Sequence, residues 1–158
     1  MNLASGVLAA ARDEDIRITT VETVTSGLVA AALTSVSGAS RIVERGFILY
    51  HESAKATGLG ISREVSEKHG AVSGPVTHGL AEGGLEHSTA GLCVAVTGYA
   101  GPTGGNDRDP VGTCYISVAR RGHATVMERH TFGGDRDAVR LAAVNAALRL
   151  ITAQLKDN

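Results

Sequence analysis

Apolar side chains recur at helical spacing over residues 3–12, LASGVLAAAR, and predict a first helix that ends before the acidic DED at 13–15. The β-branched run IRITTV, 16–21, then reads as a strand. From Gly27 the segment LVAAALTSV predicts a helix, stopped by the SGAS turn at 37–40. A second strand is expected over ERGFILYHE, 44–52. A short helix should follow over 53–60, closed by Gly58, and another over 62–70, with Ser62 as its cap and Gly70 as its stop. Residues 75–87 open with Pro75, which favours a first helical turn, although Gly79, Gly83 and Gly84 lower the helix preference.

The run AGLCVAVTG, 90–98, has no alternation and predicts a strand buried on both faces. YAGPTGGNDRDP, 99–110, is too rich in Gly, Pro and Asp to be anything but a loop. VGTCYISVA and HATVMERHTF flank Arg120, Arg121 and Gly122 and predict a hairpin; residues 133–155 then form a long amphipathic helix with Asp135 near its start. This order implies an α/β protein, a three-layer α/β/α sandwich over one domain, residues 1–158. Its sheet must be mixed, because crossovers make parallel neighbours and a hairpin an antiparallel pair. The chain shows no internal repeat or interdomain linker.

With 158 residues the chain is long enough to bury a core without staples. No Trp, two Phe and many small residues imply layers packed closely through Ala, Val, Leu and Gly. The formal charge is −1 with mixed signs along the chain, which points away from nucleic acid as a partner. Cys93 and Cys114 lie inside apolar runs and read as buried core thiols in a reducing compartment. The N-terminus meets acidic residues too soon for a signal peptide, and no apolar run approaches the ~20 residues of a membrane span, so a soluble, cytoplasmic protein with no membrane partner is expected. The six histidines show no ligand spacing; no metal and no cofactor is expected.

Chemistry can sit at three turns that end strands or open helices. In VETVTSG, 21–27, Glu22, Thr23, Thr25, Ser26 and Gly27 cap the next helix or hold a ligand at it. In TGYAGPTGG, 97–105, Thr97, Gly98, Gly101, Gly104 and Gly105 belong to a tight crossover or a ligand cradle; the spacing is neither a dinucleotide nor a Walker fingerprint. In FGGDRDAVR, Arg136 and Arg140 share one helical face, as an anion clamp or as partners of Asp135 and Asp137. Tyr50 and Lys55, five apart in YHESAK, can activate a hydroxyl nucleophile if the amine is desolvated.

Taken together, VETVTSG, ERGFILYHESAK, HGAVS, TGYAGPTGGNDRDPVGT and GDRDAVR, in this order, resemble the CinA C-terminal-domain family over nearly the whole chain. The resemblance implies a metal-free amidohydrolase that converts nicotinamide mononucleotide to the acid and ammonia, commonly as a homo-oligomer. The family's first block reads approximately AESCTGG with a nucleophilic Ser. Thr23 holds that position here, Val24 replaces the Cys and Ser26 the first Gly, while Tyr50 and Lys55 match the assisting pair. For an amidohydrolase the expectation is that the turn amides near Ser26 and Gly27 hold the oxyanion, and that the 98–105 loop with Arg136 or Arg140 holds ribose and phosphate. The threonine leaves a second expectation open: a catalytically impaired nucleotide-binding or interaction module of the same fold.

Overall fold

A computed structural model describes residues 2–157; within them the side chains of residues 56 and 57 lie outside the description. The elements follow in the order α1 (Leu3–Asp13), β1 (Ile18–Glu22), α2 (Leu28–Thr34), a 3-10 turn (Ala39–Arg41), β2 (Val43–Ile48), α3 (Glu52–Gly58), α4 (Arg63–His69), α5 (Gly74–Glu86), β3 (Leu92–Gly98), β4 (Thr113–Arg120), β5 (Val126–Thr131) and α6 (Arg136–Lys156). The expected helices and strands are present in the expected order. Strand β2 stops at Ile48 rather than running to residue 52, because His51 turns out of the sheet and caps α3 through the Ser53 amide.

The sheet order is β2-β1-β3-β4-β5. β1 runs parallel to both β2 and β3, whereas β4 is antiparallel to β3 and to β5, as the hairpin requires. Alternation along the strands splits the core. Ile18, Val94, Val96, Ile116 and Val118 pack under α1, α2 and α6; Val21, Cys93 and Ala95 pack under α5. Both cysteines are free and buried. α6 has the length and apolar content of a membrane-spanning helix, but it lays Val139, Ala143, Ala147 and Ile151 into the core, as a core helix does.

The glycines that lower the helix preference of α5 are what allow it to pack. A Cβ at Gly83 would lie 2.5 Å from the Leu59 carbonyl oxygen, and one at Gly84 would lie 2.6 Å from both Cys93 Sγ and Val21 Cγ2. Close approach to the sheet at Gly84 and to the segment after α3 at Gly83 therefore outweighs the ~1 kcal/mol that each glycine lacks relative to alanine.

At the end of β1, Glu22 faces α2 and is fully buried. Its carboxylate accepts hydrogen bonds from the hydroxyls of Thr20 (3.0 Å) and Thr25 (2.8 Å) and from the amides of Val29 (2.7 Å) and Ala30 (3.0 Å). It thus caps α2 from the preceding strand, with its negative charge at the positive end of the helix dipole. Glu22→Ala leaves two hydroxyls and two helix amides without this acceptor, and should lower unfolding free energy by about 2–4 kcal/mol in urea denaturation. A loss below about 1 kcal/mol would contradict that role.

Candidate active site

β1 is joined to β2 by α2 on one face of the sheet, and β2 to β3 by α3, α4 and α5, with α5 covering the other face. The two connections thus cross opposite faces and place β2 and β3 on either side of β1, and such switch points open a crevice at the carboxyl ends of the strands. A cavity of about 240 Å³ lies there. The turn after β1 contributes Thr23 and Val24, the β2–α3 connection Tyr50, α3 Lys55, the approach to α5 Val72, the end of β3 Gly98, the loop after it Gly101 and Thr103, and α6 its first residue, Arg136.

Thr23 is only 4% exposed; its hydroxyl donates to the Val96 carbonyl at 3.0 Å, the same oxygen that accepts from its amide at 3.2 Å. Lys55 is also 4% exposed and donates to the Ala71 carbonyl at 3.2 Å. Burial pushes its pKa below the usual lysine value of 10.5, against a partial opposing pull from Glu52. Tyr50, at 61% exposure, stands at the mouth. Arg136 reaches across it, donating from Nη2 to the Tyr50 hydroxyl at 3.0 Å and from Nη1 to the Gly101 carbonyl at 2.9 Å.

Several residues singled out in the sequence lie beside the cavity rather than on its wall. Glu22 and Thr25 are joined in the α2 cap. Thr97 points to the α5 side and shares a 2.8 Å hydrogen bond with Thr77. Ser26 is exposed, with its amide and hydroxyl both donating to the Thr23 carbonyl. Gly27, with φ of 98°, is the residue that opens α2, and Gly104 and Gly105 lie farther out on the loop. Arg140, one turn beyond Arg136, donates from Nε to the Val24 carbonyl at 3.1 Å and lines a separate apolar groove with Leu28 and Leu141. Of the two arginines, Arg136 is the one on the cavity wall. Asp135 does not pair with them but caps α6 at the Ala138 amide.

Thr103 lies on the wall within the 98–105 loop expected there; sequence reasoning missed Val72, an apolar residue with no chemical signature of its own, and it missed Asp109. Asp109 is fully buried beneath the loop and accepts from the Tyr115 hydroxyl (2.8 Å), Arg108 Nε (3.1 Å) and Arg129 Nε (3.1 Å). Burial alone would raise its pKa; the bonds from Tyr115, Arg108 and Arg129 outweigh it and hold the carboxyl below its ordinary 3.8. An acid so buried among basic and aromatic partners was the available signal, but of those partners only Arg108 is a neighbour in sequence, while Tyr115 and Arg129 stand 6 and 20 residues away. Among the described residues, no group of three His, Cys, Asp or Glu is placed to hold a metal ion.

The sequence pattern of the CinA C-terminal domain family matches residues 1–155. The chain is 39% identical over 158 residues to nicotinamide-nucleotide amidohydrolase PncC of Escherichia coli strain K12, spanning all of this chain and 96% of that one. It is 39% identical over 157 residues to a CinA-like protein of Akkermansia muciniphila, where the match takes 99% of this chain and 38% of that longer protein. Among solved structures, the competence damage-inducible protein A of Klebsiella pneumoniae superposes with a TM-score of 0.94 at 33% identity, covering 98% of this chain and 96% of that one. Competence/damage inducible protein CihA of Agrobacterium tumefaciens gives 0.93 at 36%, with 96% and 92% covered.

The turn after Thr23 carries backbone strain. Ser26 has φ of 48°, the left-handed region that disfavours a side chain by roughly 1–2 kcal/mol. Its hydroxyl bond to the Thr23 carbonyl is long, at 3.3 Å. Ser26→Gly relieves the strain and gives back roughly 0.5–1 kcal/mol as unfolded-chain entropy. The variant should be more stable than the parent by about 0.5 kcal/mol in thermal denaturation, and a loss above about 1 kcal/mol would contradict the strain.

Proposed function

The chain belongs to the CinA C-terminal-domain family, and on that premise we propose that it deamidates nicotinamide mononucleotide to nicotinic acid mononucleotide and ammonia. The observation that carries this reading is the convergence of a hydroxyl, a desolvated amine and a phenol on one cavity. It occurs in a chain alike over its full length to an enzyme named for that activity. We further propose that it acts as a single domain in the cytoplasm, as a homo-oligomer, on a small nucleotide rather than on nucleic acid.

In the proposed reaction Thr23 Oγ1 attacks the carboxamide carbon and its proton passes to the neutral amine of Lys55, which burial favours. Collapse of the tetrahedral intermediate breaks the C–N bond, and the proton returns to the departing nitrogen, leaving ammonia and an ester on Thr23. Water adds to that ester by the same proton route and frees the acid and the threonine. The Ser26 amide is already bonded to the Thr23 carbonyl, so the reading assigns the oxyanion to the amide of Val24, the wall residue next to Thr23. Tyr50 assists at the mouth, and Arg136 takes the phosphate.

One observation favours a second reading, a binding module that turns over slowly or not at all. The Thr23 hydroxyl donates to Val96, and the side-chain methyl restricts the rotation needed to present it to Lys55 and substrate. Incubation with nicotinamide mononucleotide, following ammonia and acid product, separates the two. Thr23→Ser should raise the rate. Thr23→Ala should abolish it, and Lys55→Ala should lower it by about 10²–10⁴-fold as expected for loss of a general base. Because the amine must be neutral to accept a proton and its pKa is lowered, kcat/KM should rise with pH with its midpoint below the ordinary lysine value of 10.5. Binding of nicotinamide mononucleotide with no product from either the parent or Thr23→Ser selects the binding module.

The phosphate contact has its own test. Charged hydrogen bonds contribute about 1.5–3 kcal/mol, so the nucleotide should bind roughly 10- to 100-fold more tightly than its dephosphorylated riboside in titration calorimetry. Arg136→Ala should erase most of that difference. Equal binding of both ligands by the parent would rule out the clamp.

A further inference from the structure

The segment of the 98–112 loop that lines the cavity rests on the segment that follows it. A Cβ at Gly101 would lie 2.5 Å from Val111 Cγ1, and one at Gly105 would lie 2.8 Å from the Val111 amide nitrogen and 3.0 Å from the Asp109 carbonyl oxygen. The inner strip is therefore a thin shelf of glycines pressed onto residues 109–111. Its stem is fixed to the sheet by the bonds from the Tyr99 amide to the Thr113 carbonyl and from the Gly112 amide to the Tyr99 carbonyl. What holds the platform under the shelf is Asp109.

That residue acts through both backbone and side chain. Its amide donates to Asn106 Oδ1 at 2.8 Å and its carbonyl accepts from the Asn106 amide at 2.9 Å, which closes a tight turn. Its carboxylate joins three anchors: Tyr115 on β4, Arg129 on β5 and Arg108 in the turn itself. Arg108 also donates from Nη2 to the His69 carbonyl at the end of α4, and Arg129 from Nη2 to the Arg108 carbonyl. A single buried carboxylate thus connects the sheet edge, the end of α4 and the floor of the glycine shelf. None of these anchors lies on the cavity wall, and none bears Thr23 or Lys55.

We propose that Asp109 is a positioning residue of this pocket, holding the 99–105 strip at the height that receives the ribose-phosphate end of the ligand. The proposal rests on the reading of the cavity as the nucleotide site. Asp109→Asn keeps the shape but removes the charge to which two guanidiniums and a phenol converge, so the strip should loosen while the reacting groups stay in place. Lost ground-state binding raises KM and leaves kcat alone.

The test compares the parent, Asp109→Asn and Arg129→Ala, the last removing one half-exposed anchor from an edge strand and so sparing the core. With nicotinamide mononucleotide, Asp109→Asn should raise KM about tenfold with kcat within about threefold, and Arg129→Ala should move KM the same way by less. Hydrogen exchange read by mass spectrometry should quicken over residues 99–112 while β1 and α6 keep their protection. A fall in kcat at constant KM, or a uniform gain in exchange across the chain, overturns the proposal. If Asp109→Asn fails to fold, Arg129→Ala decides: unchanged KM and unchanged loop exchange overturn it. If the parent releases no ammonia from the nucleotide, the amidohydrolase reading falls, and the exchange pattern alone supports or overturns the role of Asp109.

Discussion

A carboxylate with no exposure to solvent sits where β1 becomes α2, and four donors close around it. Glu22 answers the need of a helix start for acceptors at its free amides, and it does so from the last position of a central strand. The residues that follow are thereby held in a short turn, with Thr23 at the mouth of the crevice between β1 and β3. The Glu22 carbonyl also accepts from the Leu49 amide at 3.0 Å, which ties down the start of the segment bearing Tyr50. One side chain and its own backbone thus position two of the proposed reacting groups. The turn carries strain at Ser26, and a buried network that over-determines the local geometry is what lets such strain persist.

The remaining components reach the cavity through close packing of small residues. α5 can lie against the sheet because Gly84 presents no Cβ to Cys93 and Val21, and against the Leu59 backbone because Gly83 presents none; the segment leading into α5 brings Val72 to the cavity. α6 arrives from the opposite face and places Arg136 across the mouth, bridging two loops that belong to different strands. A chain poor in aromatics builds its site from backbone approach, with two buried carboxylates, Glu22 and Asp109, as internal fasteners.

The cavity holds a hydroxyl and a desolvated amine, and Thr23 supplies the hydroxyl to which the proposed reaction gives the nucleophile's part. A β-branched side chain with its hydroxyl on the Val96 carbonyl is better at holding a shape than at changing rotamer. In the proposed reaction the Thr23 methyl group bears on turnover, while the architecture of the pocket does not depend on it.

The order of elements, the mixed sheet and the cap at Ser62 were legible in the sequence, because periodicity, turn residues and capping act within a few positions of the chain. The family motifs placed Thr23, Tyr50 and Lys55 together on the same grounds of local pattern. The sequence left Glu22 undecided between cap and ligand contact; strand alternation and the register of β1 against its neighbours turned its carboxylate to α2. It left Arg136 and Arg140 equivalent, and one helical turn of rotation on the folded α6 put the first on the cavity wall and the second beside Val24. It gave no sign of Asp109, whose partners Tyr115 and Arg129 stand 6 and 20 residues away. Arg136 meets Tyr50 across 86 residues, a distance over which no local preference acts and only the order of strands in the sheet decides what touches.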